Sequence, residues 1–114
     1  YDRLRFDHRF LREVAGGGTA GLSTIRVSGD SMVPTLADGD EILVNRADAA
    51  ERLRDGIYVL RVDDALIVKR VAVNPAGGRI TVRSDNPNSP PWPEGDRGEV
   101  TVIGRVVWTG RRLG

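Results

Sequence analysis

Residues 26–44 read "RVSGDSMVPTLADGDEILV", a β-type run that breaks off sharply and then resumes. Gly29 permits a sharp bend and Pro34 removes a backbone donor, so the chain must leave the first strand abruptly. Asp38 and Asp40 flank a glycine, and this spacing favours a tight turn over a pair of catalytic carboxylates. The stretch therefore predicts two strands joined by a corner and a turn.

The same β pattern continues through residues 23–114. Further strands are predicted by "DGIYVLRV", "ALIVKRVAV", "RITVRS" and "EVTVIGRVVW". Asp63-Asp64 predicts a tight hairpin and "NPAGG" a turn. The four prolines of "DNPNSPPWPEGDRG", residues 85–98, predict a loop. We therefore expect a mainly β domain of antiparallel strands over residues 23–114.

Residues 1–22 have a different character. In residues 4–14 the apolar side chains approximate helical spacing, which predicts a short N-terminal helix. "AGGGTAG", residues 15–21, has four glycines and predicts a flexible linker. The first 22 residues are thus expected to form a helical arm and a linker.

The composition excludes several classes of protein. A length of 114 residues fits one domain, and a formal net charge of +1 gives no general attraction to nucleic acid or membranes. The absence of cysteine fits a reducing cytoplasm and excludes thiolate metal sites. With a single histidine, His8, metal binding is not expected, and neither is a cofactor. The chain begins at Tyr1 with no signal-peptide pattern, and we expect further protein upstream.

Lys69 is the only lysine, whereas the other 16 basic residues are arginine. In a strand it shares a face with Ile67 and Val71. Burial beside such neighbours lowers the pKa of a lysine, whereas arginine stays protonated. Lys69 could therefore serve as a neutral base. The alternative is a lysine whose stem lies along the sheet while its amine reaches water.

Ser31 lies at the corner, where the backbone would hold its hydroxyl in a fixed position. Neighbouring N–H groups, those of Asp30 and Ser31, can point at a common place where an oxyanion forms. A serine needs an adjacent base to act as a nucleophile, and a neutral lysine supplies one in known variants of serine catalysis. The alternative is a turn serine that caps local backbone groups.

The motifs "GDSMVPTLADGDEILV", "DGIYVLRVDDALIVKRV", "ITVRSDN" and "VIGRVVW" together resemble the C-terminal peptidase domain of LexA and phage repressors. Signal peptidases are more distant relatives. The resemblance implies a LexA-like β-clip fold with Ser31 as nucleophile and Lys69 as general base. It also implies an oxyanion hole at the N–H groups of Asp30 and Ser31. Asp85 and Asn86 match the family pattern as loop-fixing residues.

The resemblance further implies a serine endopeptidase in a cytoplasmic transcriptional regulator. Such a regulator dimerises, binds operator DNA through an N-terminal helix-turn-helix domain, and cleaves itself when a RecA filament signals DNA damage. The family cuts an Ala-Gly or similar bond well upstream of the nucleophile. Here Ala15-Gly16 and Ala20-Gly21 lie closer to Ser31 than that spacing, and Ala76-Gly77 follows it.

A second interpretation therefore stays open. The domain would be a non-cleaving module of a transcriptional regulator, used for dimerisation and effector sensing. The apolar "EVTVIGRVVW", residues 99–108, would then be an edge strand for a partner subunit.

Overall fold

The computed structural model describes residues 21–47, 53–62, 65–89, 95–96 and 101–111. Within these ranges seven strands form one sheet: β1 (Leu22–Arg26), β2 (Glu41–Asn45), β3 (Gly56–Val62), β4 (Ala65–Val73), β5 (Arg79–Arg83), β6 (Gly95–Asp96) and β7 (Thr101–Gly110). The order across the sheet is β1-β2-β7-β3-β4-β5-β6, and every neighbouring pair is antiparallel. The prediction of a mainly β, antiparallel domain is confirmed.

The local predictions can be compared with this sheet element by element. Val62 pairs with Ala65, which confirms the register expected of a hairpin with two residues between its strands. The predicted loop 85–98 contains a short strand, β6, so the prediction was wrong for its two residues. β6 has no apolar pattern and is defined only by its backbone pairing with the start of β5. The predicted N-terminal helix lies outside the described residues.

The last long strand, β7, is central rather than peripheral. It pairs with β2 on one side and with β3 on the other. The prediction that this segment forms an edge strand was therefore wrong for the described sheet. Its apolar side chains Val102, Ile103 and Val106 pack against the two core clusters described next. The long apolar run thus reflects burial between neighbouring strands. None of the described segments forms a helix that could cross a membrane.

Apolar side chains form two clusters, one on each face of β3, because successive side chains of a strand point to opposite faces. Val59 belongs to the first cluster, whereas Tyr58 and Leu60 belong to the second. Met32 and Leu36, from the segment between β1 and β2, are almost fully buried in the first cluster. The core therefore anchors the segment that carries Ser31.

An ion pair joins the end of β7 to the turn before β2. Arg111 donates from Nε and Nη2 to the carboxylate of Asp40, at 2.9 and 3.2 Å. Asp40 is buried and also accepts a hydrogen bond from the N–H of Ala37 at 2.9 Å. The hydrogen bond from Arg111 holds the pKa of Asp40 below its usual value of 3.8, although burial alone would raise it.

We predict that Asp40→Asn lowers the urea midpoint of unfolding at pH 7, because the amide loses the ion pair with Arg111. The pKa of Asp40 is lower in the folded than in the unfolded state, so the carboxylate contributes stability above the unfolded pKa near 3.8. That contribution is lost as the pH falls through the pKa of Asp40 in the folded state. The difference in urea midpoint between wild type and Asp40→Asn should therefore become smaller at that pH. The exposed Asp30→Asn is the matched control. Equal midpoints for wild type and Asp40→Asn at pH 7 would contradict the prediction.

Candidate active site

The segment that carries Ser31 is closed at its base by backbone hydrogen bonds. The N–H of Val27 donates to Asp40 O, and the N–H of Gly39 donates to Val27 O, both at 2.8 Å. Gly29 has a φ of +92°, which suits glycine at the bend. Its N–H donates to Asp38 Oδ1 at 2.8 Å. The predicted corner is therefore present.

The tight turn predicted from Asp38 and Asp40 is also confirmed. The N–H of Asp40 donates to Ala37 O at 3.0 Å, and Gly39 between the two aspartates has a φ of +88°. Asp38 fixes Gly29 and Asp40 binds Arg111, so both carboxylates already have structural partners.

Ser31 is half-buried at the start of a turn whose hydrogen bonds leave its own N–H free. The N–H of Val33 donates to Asp30 O at 3.1 Å, and that of Leu36 donates to Met32 O at 2.9 Å. Among the described residues, no hydrogen bond uses the N–H groups of Asp30 or Ser31. Both groups therefore lack a partner within the described residues, as an oxyanion hole would require.

Lys69 lies in β4 opposite Tyr58 of β3 and is half-buried. Removal of its amine from water lowers the pKa of Lys69 below the ordinary value of 10.5. Its Nζ donates a hydrogen bond of 2.7 Å to Ser84 Oγ. Within the described residues, no hydrogen bond joins Lys69 Nζ to Ser31 Oγ.

Ser31 and Lys69 nevertheless line the same pocket. Its volume is about 150 Å³, below the roughly 300 Å³ at which pockets for whole small ligands begin. Arg26 also lines it, and its guanidinium donates to Glu41 Oε1 at 3.2 Å, which offsets that charge. The remaining lining residues are mostly apolar: Ile25, Val27, Ser28, Met32, Val59, Leu66, Ile67 and Val68. The pocket has the size for one or two side chains of a peptide.

The three residues after β5, Ser84, Asp85 and Asn86, connect β4, which carries Lys69, to the segment that carries Ser31. Asp85 accepts two hydrogen bonds from Arg70, at 2.7 and 2.8 Å, and one from the hydroxyl of Thr35. The hydrogen bond from Arg70 lowers the pKa of Asp85 below its usual 3.8.

Asn86 completes the connection to the serine segment. Its side-chain Nδ2 donates to Asp30 O at 3.0 Å, and its N–H donates to Ser31 O at 2.9 Å. The loop-fixing role predicted for Asp85 and Asn86 is therefore present in the structure. The residue before them, Ser84, was not among the predicted site residues.

The register of β4 and β5 explains why Ser84 meets Lys69. Arg70 pairs with Arg83, so the next position along each strand brings Lys69 opposite Ser84. Paired residues of an antiparallel ladder share a face. If the predicted "NPAGG" turn had defined the register of its two flanking strands, counting outward from it would have placed Ser84 opposite Lys69.

The other predicted residues fall elsewhere. His8 and Ala15-Gly16 lie outside the described residues. Ala76-Gly77 lies in the turn between β4 and β5, where the N–H of Ala76 donates to Asn74 Oδ1 at 2.9 Å. Gly21 immediately precedes β1, and its carbonyl accepts a hydrogen bond from the N–H of Arg46 at 2.9 Å. None of the described Ala-Gly residues is part of the pocket that Ser31 lines.

Comparison with known proteins gives consistent matches. The family model described as Peptidase S24-like matches residues 6–107. The chain is 34% identical over 108 residues to Repressor protein CI of Enterobacteria phage phi80, covering 93% of the chain and 44% of that protein. It is 37% identical over 103 residues to the LexA repressor of Acidothermus cellulolyticus, covering 90% of the chain and 34% of that protein. The LexA repressor of Frankia alni is 33% identical over 103 residues, covering 90% and 37%. The chain therefore spans less than half the length of these relatives.

We predict that the pKa of Lys69 is below 10.5 in the folded protein, because its amine is partly withdrawn from water. The chain has one lysine, so lysine labelled with ¹³C at Cε gives a single resonance whose shift against pH reports this pKa. The same titration in concentrated urea is the control and should return the ordinary value. A folded-state pKa equal to the value in urea would contradict the prediction.

Proposed function

This chain belongs to the Peptidase S24-like family, and from that premise we propose that it is the peptidase domain of a LexA-like or phage-repressor-like transcriptional regulator. In this proposal Ser31 and Lys69 form a catalytic dyad that cleaves the regulator's own chain. The observation that carries the proposal is the shared pocket, which is lined both by a serine on a fixed corner and by a lysine with a lowered pKa.

The acyl-enzyme forms in two proton transfers, from Ser31 to Lys69 and then from Lys69 to the leaving amine. Neutral Lys69 Nζ accepts the proton of the Ser31 hydroxyl while Ser31 Oγ bonds to the peptide carbonyl carbon. The carbonyl oxygen becomes an oxyanion, to which the N–H groups of Asp30 and Ser31 donate. When the C–N bond breaks, Lys69 returns the proton to the leaving amine. Water then releases the acyl group by the same route, with Lys69 as its base.

The first proton transfer requires Lys69 Nζ to reach Ser31 Oγ. These two described atoms are not hydrogen-bonded to each other in the structure. Catalytic hydrogen bonds are often long before substrate binds and tighten in the complex. The lysine side chain has several rotatable bonds, and Lys69 lines the pocket that Ser31 lines. In this proposal the two side chains approach each other when the peptide binds, while the amine keeps its bond to Ser84.

The sheet offers a place for an extended peptide beside this pocket. β5 pairs only with Arg70–Val73 of β4, so residues 65–69 have β3 on one side and no described strand on the other. An extended peptide adds to an open strand through main-chain hydrogen bonds. Leu66, Ile67 and Val68 from this open stretch line the pocket. A peptide held here would present a bond to Ser31.

The bond that is cut would lie upstream of Gly21. Gly21 is held beside β2, and the five residues of β1 separate it from the corner. At about 3.3 Å per residue, that strand spans roughly 17 Å. Ala20-Gly21 is therefore too far along β1 to reach Ser31 without unpairing it. Ala15-Gly16 or a bond nearer the start of the regulator remains the proposed target.

The relatives are named as repressors, and this supports the wider proposal. Operator DNA would be bound by a helix-turn-helix domain in an upstream segment, since this chain carries little net charge. The regulator would act in the cytoplasm, and a RecA filament would be the inducing partner. Cleavage between the two domains would then release the repressor from its operator.

We predict that the product of the complete reading frame cleaves itself at mildly alkaline pH and that Ser31→Ala and Lys69→Ala abolish this. Removing either member should slow cleavage by at least roughly a thousandfold. Cleavage of the wild type should speed up as the pH rises, because a lysine with a folded pKa below 10.5 becomes a neutral base over that range.

Mass spectrometry of the fragments over time is the measurement. Ser23→Ala on β1, outside the pocket, is the matched serine control and should cleave like the wild type. If the wild type and both dyad variants are cut equally, the dyad is not the catalyst.

A second candidate function is a non-cleaving module that pairs subunits. It is favoured by β1, which in the described sheet has β2 on one side and an open edge on the other. Open edges of this kind can pair with a second copy. The N–H and C=O groups on the free side of Leu22–Arg26 would then form a ladder across a two-fold axis.

We predict that the chain forms a dimer, because an open edge strand is covered when two copies pair. Analytical ultracentrifugation over a hundredfold range of concentration should show the sedimentation coefficient rising toward the dimer value. Ser31→Ala should dimerise equally, which would separate pairing from cleavage. A strict monomer at the highest concentration would count heavily against the pairing module.

A further inference from the structure

The amine of Lys69 has one hydrogen-bond partner among the described residues, and it is a serine outside the proposed dyad. Lys69 Nζ donates to Ser84 Oγ at 2.7 Å. This is a short distance for an N–H donor and an oxygen acceptor. Ser84 is half-buried, so water competes only partly for the contact.

A neutral amine carries two N–H bonds and one lone pair, and only the lone pair can accept the proton of Ser31. A freely rotating amine would present an N–H to the serine for much of the time. An acceptor that holds one N–H on the far side fixes the rotation of the amine. The lone pair can then remain directed toward the pocket that Ser31 lines.

Ser84 lies between two parts of the chain that are held by hydrogen bonds. It follows β5 directly, and the cross-strand register places it opposite Lys69. The next residue, Asp85, is held by two hydrogen bonds from Arg70, which is adjacent to Lys69 in the chain. Asn86 then binds the carbonyl groups of Asp30 and Ser31. The hydroxyl of Ser84 is therefore placed by the same short segment that fixes the serine corner.

We propose that Ser84 is a positioning residue that orients the amine of Lys69 for proton transfer from Ser31. The inference rests on the proposed function, since it assigns an aid to the base of that reaction. Ser84 touches neither the peptide nor Ser31 in this account, and it acts only through the amine of Lys69.

Removing the hydroxyl of Ser84 could change the pKa of Lys69 in either direction, and the direction identifies the role of Ser84. An acceptor for the amine favours the charged form, so its loss should lower the pKa of Lys69 further. A general loosening of the site would instead admit water and raise the pKa of Lys69 toward its ordinary value. The direction of the change therefore separates a positioning contact from a merely structural one.

The first measurement is the titration of the single lysine by its ¹³Cε resonance in the 114-residue chain. We expect Ser84→Ala to lower the pKa of Lys69, and Ser84→Thr, which keeps a hydroxyl, to restore it. Ser89→Ala is the matched control, because it removes a hydroxyl from the same loop and leaves its backbone intact. Should Ser84→Ala fail to fold, Ser84→Cys supplies a side chain of similar size with a weak acceptor.

The second measurement is self-cleavage of the product of the complete reading frame against pH. At the high-pH plateau, where the amine is neutral in every variant, Ser84→Ala should be roughly ten- to hundredfold slower. The midpoint of the rise should move to lower pH, and Ser84→Thr should return both features close to wild type. A plateau rate equal to that of the wild type would overturn the positioning role.

A rise in the pKa of Lys69, or no change, in Ser84→Ala would overturn the proposal in the same way. Failure of the wild type to cleave itself would instead count against the proposed function. In that case the lysine titration still decides whether Ser84 holds the amine, because it needs no activity.

Discussion

Withdrawing an ammonium group from water costs free energy unless the group loses its proton or finds a partner. The position of Lys69 in β4 imposes that condition on this protein, and the resulting decrease in its pKa is the constraint on which the candidate site depends. Arginine could not meet it, because a guanidinium stays protonated at any accessible pH. The single lysine among sixteen arginines therefore occupies a position that favours loss of a proton, which an arginine would keep.

The serine is fixed by different means. Backbone hydrogen bonds between Val27, Gly39 and Asp40 close the base of its segment, and Met32 and Leu36 bury two of its side chains in the core. The base of the corner is thus closed by bonds within its own segment, and its buried side chains share a core cluster with Val68 of β4. The connection between the two comes from the segment after β5, whose side chains bind Lys69, Arg70 and the carbonyl group of Asp30.

Local patterns in the sequence were enough to find the main parts of the fold and the corner that carries Ser31. The alternating runs located β1–β5 and β7, and a glycine before a serine, followed by a proline, located the corner. Ser84 was missed because its role depends on the register between β4 and β5, and register follows from pairing between strands rather than from the pattern of one strand. The central place of β7 was missed for the same reason, since an apolar run fits an interface strand and a core strand equally. β6 carries no pattern at all and exists through its pairing alone.

The end of the β4–β5 ladder unites these features. The backbone pairing of β4 with β5 ends at Arg70 and Arg83. Lys69, which precedes Arg70 in β4, therefore has no backbone pairing with β5. The position opposite Lys69 is then occupied by the first residue after β5, whose hydroxyl can turn to the amine. The same termination leaves residues 65–68 without a described strand on that side, where an incoming strand could pair. One feature of sheet pairing therefore supplies a partner for the proposed base and an edge for the proposed peptide, and it places both beside the corner that carries Ser31.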